Sequence, residues 1–277
     1  MLPDFVIVGG QKCGTTSLAN QIATHPEIVF SDPKEVHFFS WDKHWERGIQ
    51  WYESLFEGAE GAKAVGEGST TYTMYPTVRD VPTRMARVLP DARLIYLVRH
   101  PVDRLISHYM HEWYESLVGD DLEEALEKRP RLIAYSRYHY QIEQFLPHFP
   151  PERWLVLVFE EFVAEPAAAQ RKVYEFLGVD PNFVSPDVSA KNVTETKVRR
   201  PAWIRAALKV PFAKEVADRV LPDSLKSRLK ESGGKMPKPE VSASLWNRFL
   251  DEFLPDVKAL SEFMGRDLAA LWRLDQR

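Results

Sequence analysis

Gly10-Gln11-Lys12-Cys13-Gly14-Thr15-Thr16-Ser17 follows directly on the apolar run Phe5-Val6-Ile7-Val8. Gly9, Gly10 and Gly14 permit a tight turn in which the backbone can approach a ligand closely. Thr15, Thr16 and Ser17 open a helix expected to run to about Thr24, before His25-Pro26 stops it. Strand, glycine-rich turn and helix start form an anion site. The first amides of a helix have no intrahelical acceptor, and the dipole is positive at that end. Gly9 and Gly14 have the spacing of a nucleotide-triphosphate loop, but Thr15 stands where that motif needs lysine. Lys12 lies inside the turn instead. A lysine after the second glycine reaches β- and γ-phosphates, whereas one inside the turn sits over whatever is attached to a single cradled phosphate. The pattern is therefore an anion loop first and an ATP loop second, the remaining alternative being a strand-turn-helix whose threonines merely cap.

Two further clusters could do chemistry. In Lys34-Glu35-Val36-His37-Phe38-Phe39, a carboxylate between a lysine and a histidine has the surroundings of a general base. The same pattern also fits a solvated turn with an incidental ion pair. Arg99 ends the run Arg93-Leu-Ile-Tyr-Leu-Val98, at the carboxyl tip of a strand, where open α/β sheets bind ligands. Ser107, about two turns along the next helix, can share one phosphate with that guanidinium. Alternatively, Arg99 caps a helix or pairs with an acid. A nucleotide triphosphatase would place an Asp or Glu at that tip to hold Mg²⁺. No Asp, Glu, His or Cys grouping has metal-ligand spacing, so no metal is expected.

These groups need a scaffold, and 277 residues suffice for one large α/β domain with a substantial core. A net charge of −4 disfavours a general nucleic-acid or membrane binder. No apolar run reaches a membrane span or a leader, and a single cysteine excludes an internal disulfide framework, so the expected compartment is cytoplasmic. Phe5–Val8, Ile28–Phe30, Ala64–Val65, Arg93–Val98 and Trp154–Phe159 read as strands, the longer ones as buried parallel strands. Trp41–Phe56 reads as one amphipathic helix, and helices are expected over Asp80–Val88, Val102–Trp113, Pro166–Leu177, Trp203–Glu231 and Ser242–Met264. Gly178 and Gly265 end two of them. Gly233–Pro239 is linker-like, and the region from about 202 to 277 is expected to brace one domain spanning 1–277.

Taken together, the motifs resemble those of sulfotransferases that use 3′-phosphoadenosine 5′-phosphosulfate (PAPS), in a bacterial branch similar to the Golgi glycosaminoglycan (heparan sulfate) enzymes. The resemblance is carried by Gly10–Ser17, Lys34–Phe39, Val65–Ser69, Leu97–Ser107, Ser136–Tyr138 and Leu155–Glu160, and covers most of the chain. It implies a P-loop-like α/β fold with a central, mainly parallel sheet flanked by helices. It assigns the 5′-phosphate to the backbone and hydroxyls of Cys13, Gly14, Thr15, Thr16 and Ser17, and the 3′-phosphate to Arg99 and Ser107. Lys12 would meet the bridging oxygen, with Glu35 as base and Lys34 and His37 beside the acceptor. Ser69 and Tyr138 would also line the acceptor side, with a purely structural role as the alternative for Tyr138. A basic segment, Lys197-Val-Arg199-Arg200, matches a loop that closes over the donor. The implied acceptor is a hydroxyl or amine of a glycan or small metabolite, with no metal. Oligomeric state is left open. The competing readings are an ATP-dependent phosphotransferase with a degenerate loop and a non-catalytic nucleotide-binding protein. Cys13, at a helix start, is either a thiol of lowered pKa or a small packing residue.

Overall fold

The computed structural model describes residues 1–186 and 238–274. Five strands, β1 (Phe5–Gly9), β2 (Ile28–Phe30), β3 (Ala64–Gly68), β4 (Arg93–Val98) and β5 (Trp154–Val158), form one sheet in the order β2-β3-β1-β4-β5. Every pairing is parallel. β1 and β3 are buried along their whole length, as the continuous apolar run of β1 requires in a sheet covered on both faces. Phe5 pairs with Gly66, and a Cβ at position 66 would meet the Phe5 ring at 2.2 Å. Gly66 is therefore the space into which the first core aromatic fits.

The chain leaves β1 for β2 and β3 on one side and returns to β4 and β5 on the other. That reversal places the carboxyl ends of β3, β1 and β4 next to one another, the position at which open α/β sheets hold ligands.

Helices α1 (Thr15–Ile22), α4 (Val81–Val88), α5 (Pro101–Tyr114) and α10 (Pro166–Leu177) occupy the stretches expected of them, α1 ending two residues early. The expected single helix over Trp41–Phe56 is two, α2 (Asp42–Trp45) and α3 (Gly48–Ser54). Gly48, at φ 81°, turns the chain between them. The break lets Trp45 and Trp51 both face Phe38. Short helices α6 (Leu122–Lys128), α7 (Arg131–Ala134), α8 (Tyr138–Glu143) and α9 (Phe159–Ala164) complete the flanks.

Ser242 caps α11 (Ala243–Met264) by accepting from Leu245 N at 3.2 Å, and Gly265 ends it at φ 64°. Asp256 on α11 accepts from the first amides of α8, His139 N at 3.1 Å and Tyr140 N at 2.8 Å. α12 (Leu268–Trp272) docks through Trp272 Nε1, which donates to Glu160 Oε2 at 3.1 Å. These contacts join the described C-terminal helices to α8 and to the start of α9. The helix expected over Trp203–Glu231 and most of the linker-like stretch after it lie outside the described residues. Among the described residues, no helix is long and apolar enough to cross a membrane.

Candidate active site

The turn after β1 is fixed from both sides. Gly10 N donates to Leu97 O of β4 at 2.8 Å, and a Cβ at Gly10 would meet that same oxygen at 2.9 Å. Lys12 is left-handed at φ 70°, and Gly14, the N-cap of α1, at φ 88°. Because that cap is a glycine, it brings no side-chain hydrogen bond to the first amides of α1. Thr15 and Ser17 are buried against the turn and Thr16 is exposed. This cradle has the make-up of a site for one tetrahedral anion: amides at a helix start, hydroxyls beside them, and glycines at 10 and 14 where the backbone is too close to its neighbours for a Cβ.

Beneath the turn lies Arg104 of α5, fully buried. Its guanidinium donates to Gln11 O at 3.1 Å, to Gln11 Oε1 at 3.4 Å and to Leu132 O and Ser136 Oγ at 3.3 Å. It also donates to His108 Nδ1 at 3.1 Å. Burial, with Arg104 beside it, pushes His108 down to about 3, so the imidazole is neutral at pH 7 and its Nε2 faces Glu112 Oε1 at 3.3 Å. Arg131 closes the chain on the same carboxylate at 2.6 Å.

Arg99 stands at the tip of β4. Its Nη1 donates to Lys12 O at 3.4 Å, and its guanidinium lies 4.8 Å from the centre of the Phe159 ring. The same ring fills the space beside Gly14, where an added Cβ would meet Phe159 Cε2 at 2.9 Å. Ser107 is half-buried on α5, one turn beyond Arg104.

Across the sheet, the segment Glu35–Phe39 lies on the end of β3. Glu35 N donates to Gly68 O at 3.0 Å. The Glu35 carboxylate receives Lys34 Nζ at 2.8 Å on Oε1, and Thr70 N at 2.8 Å and Thr70 Oγ1 at 3.1 Å on Oε2. His37 Nε2 is 3.9 Å from Glu35 Oε2, and its Nδ1 is 2.8 Å from Thr71 Oγ1. Burial holds the imidazole below its usual 6.5, opposed by the Glu35 charge, so it is neutral at pH 7. Trp41, 38% exposed, stacks on it with ring centres 3.9 Å apart. Both Glu35 (φ 67°) and His37 (φ 55°) are left-handed, an uncommon state for side-chain-bearing residues.

The structure thus gathers Lys12, Gly14, Thr15, Ser17 and Arg99 around one turn, and Lys34, Glu35 and His37 around the neighbouring strand end. Two residues expected on the acceptor side are placed elsewhere. Ser69 is 1% exposed, its hydroxyl donating to Glu67 Oε2 at 3.0 Å and accepting from His37 N at 2.9 Å. Tyr138 is fully buried, its hydroxyl accepting from Arg99 N at 3.2 Å and lying 3.7 Å from Cys13 Sγ. Both are buried, and each hydroxyl holds a backbone amide of a neighbouring loop. Cys13 offers only its backbone. Burial pushes its thiol up to about 11, so the packing alternative holds and the lowered pKa does not. Lys197, Arg199 and Arg200 lie outside the described residues. Arg104, Phe159, Glu67 and Trp41 carry roles that sequence reasoning did not give them. Arg104, Phe159 and Glu67 fall within the recognised motifs, which was the available signal. Among the described residues, no group of His, Cys, Asp and Glu could hold a metal ion.

Comparison with known proteins identifies the family. Residues 2–203 match the family model described as "Sulfotransferase domain", and the chain belongs to the sulfotransferase family. It is 30% identical over 203 residues to the bifunctional heparan sulfate N-deacetylase/N-sulfotransferase 3 of Mus musculus, covering 66% of this chain and 23% of that protein. It is 30% identical over 189 residues to the heparan sulfate glucosamine 3-O-sulfotransferase 3B1 of the same species, covering 64% of this chain and 46% of that protein. The chain therefore spans less than half of either relative. A crystal structure of a sulfotransferase from Alicyclobacillus acidocaldarius superposes with a TM-score of 0.70 at 29% identity, covering 99% of both chains.

Proposed function

We propose that this protein transfers a sulfuryl group from PAPS to a hydroxyl or amine of a glycan or small-molecule acceptor, and that residues 1–277 form one domain for that purpose. The observation that carries this reading is the pairing of Arg99 with a glycine-capped turn that holds its lysine at position 12. PAPS supplies a sulfuryl group on a phosphate leaving group, with a second phosphate on the ribose as a handle. The amides from Gly14 to Ser17, with the hydroxyls of Thr15, Thr16 and Ser17, hold the 5′-phosphate. Arg99 and Ser107 hold the 3′-phosphate, and Lys197, Arg199 and Arg200 belong to the closing segment. Lys12 neutralises charge on the departing phosphate oxygen, and preorganised cations and amides of this kind do so without reorganising.

Glu35 takes the proton from the acceptor. Its carboxylate is oriented by Thr70 and Lys34, and the neutral His37 beside it orients the acceptor. Oε1 carries a second lone pair beside the Lys34 contact, and that lone pair receives the proton. Loss of a positioned base typically costs ~10²–10⁴-fold in rate. This reading includes the bacterial, cytoplasmic setting expected from the sequence. The test is transfer of ³⁵S-sulfate from labelled PAPS into fractionated host extracts, then into the purified acceptor. Labelled product that vanishes with Lys12→Ala supports the reading; no labelled product from any fraction contradicts it.

A further inference from the structure

We propose that Glu67 is a positioning residue, a buried carboxylate that fixes the Glu35–Phe39 segment through three hydroxyl groups. This rests on the sulfotransferase reading only for the chemistry of that segment. Glu67 is fully buried at the end of β3, and among the described residues its hydrogen bonds come from three hydroxyl groups and not from a cation. Ser69 Oγ donates to its Oε2 at 3.0 Å, Tyr72 Oη to its Oε1 at 2.5 Å and Tyr52 Oη to the same oxygen at 3.2 Å.

Each of those hydroxyl residues contacts a successive residue of the segment. Ser69 accepts from His37 N at 2.9 Å. The Tyr52 ring stacks on Phe38, centres 4.2 Å apart and 6° from parallel, and the Tyr72 ring meets Phe39 at 5.5 Å. One carboxylate thus sets the donors that hold residues 37, 38 and 39, while Glu35 is tied to the same strand end by Gly68 O and Thr70 N.

Burying a carboxylate without a cation is costly, and apolar side chains would fill the same space at less cost to stability. What an apolar filling could not do is direct three O–H groups. Ser69 would be free to rotate, and the His37 amide would lose a fixed acceptor. The left-handed pair Glu35 and His37 needs such over-determination to persist. The groups facing Glu67 are Tyr52 from α3, Tyr72 from the turn after β3, Ser69 and, by charge alone, Glu35. Burial, reinforced by the Glu35 charge and resisted by the three hydroxyls, pushes Glu67 up to about 7.

The chain of contacts makes Ser69 the decisive variant, because Ser69→Ala removes the link to His37 and leaves both tyrosines on Glu67. Glu67→Gln presents one acceptor oxygen where three hydroxyls converge, and is the second variant. Ile142→Val, in the core away from the segment, is the control for general destabilisation.

Hydrogen–deuterium exchange of the peptide containing His37, compared among these proteins without ligand, reads the anchoring directly. Ser69→Ala and Glu67→Gln are expected to raise its exchange by roughly tenfold, with the Gly10–Leu18 peptide unchanged. Turnover, read as 3′-phosphoadenosine 5′-phosphate (PAP) formed from PAPS with the acceptor found by the transfer screen, is expected to fall ~10–10²-fold, as when a catalytic group is misplaced by up to about 1 Å. PAP affinity should stay at the wild-type value. Unchanged exchange in Ser69→Ala overturns the proposal, as does faster exchange with full turnover. If the wild-type protein transfers nothing, the sulfotransferase reading fails instead, and the exchange result alone decides the anchoring.

Discussion

The Phe159 ring lies under the Arg99 guanidinium, 4.8 Å from it, while its edge closes the space beside Gly14. One aromatic side chain at the start of α9 therefore sets both the turn after β1 and the cation that stands next to it. The two halves of the proposed donor site are coupled through packing as well as through the Arg99–Lys12 carbonyl contact.

Arg99→Ala removes a charge-assisted contact worth ~1.5–3 kcal/mol, so PAP affinity measured by calorimetry should fall about 10- to 100-fold. Phe159→Leu keeps the guanidinium but loses the ring beneath it, with an expected loss of ~0.5–1 kcal/mol.

Glu35→Gln keeps the size and the contact with Thr70 but cannot take a proton. Turnover should drop ~10²–10⁴-fold while PAP binding is retained. Retained turnover would remove Glu35 as the base and direct attention to His37.

Gly14→Ala combines a left-handed backbone with a Cβ placed 2.9 Å from Phe159, so it should abolish PAP binding and lower the melting temperature. Gly66→Ala forces a methyl to within 2.2 Å of the Phe5 ring and should destabilise by ~1–3 kcal/mol, with no direct effect on the site. Chemical denaturation of both variants separates the two outcomes.

Two buried groups give stability opposite pH dependences. His108 is held at about 3, below its unfolded 6.5, so the unfolded chain binds the extra proton and stability rises with pH between those values. His108→Asn should flatten that rise. Glu67 is held at about 7, above its unfolded 4.5, so the folded chain keeps the proton longer and stability falls as pH rises between those values. Glu67→Gln should remove that fall. Denaturant midpoints from pH 3 to 8 read both slopes.

The turn after β1 and the Arg99 beside it were legible in the sequence because their determinants are local. A strand, a glycine turn with lysine at position 12 and an arginine at a strand tip each need only a short window, and the parallel α/β fold follows from the same apolar runs. The surroundings of the Glu35–Phe39 segment were less legible. Ser69 and Tyr138 carry polar groups in motif positions, and only the packing of the sheet shows that both hydroxyls point inward. Glu67 could not be assigned because its partners Tyr52, Tyr72 and Ser69 meet only when α3 and the turn after β3 come together. The break in Trp41–Phe56 was hidden for a related reason. A single glycine at 48 is tolerated within a helix, and only the demand that Trp45 and Trp51 share Phe38 makes it a turn.

The central claim is that the turn after β1 holds a single phosphate of a bisphosphorylated nucleotide and not a triphosphate. Thermal unfolding with PAP, compared with ATP and Mg²⁺, tests it most directly. PAP at about 100 times its dissociation constant should add ~2.7 kcal/mol to stability, and that gain should largely disappear in Arg99→Ala. ATP with Mg²⁺ stabilising the wild-type protein as much as PAP, or more, would contradict the account.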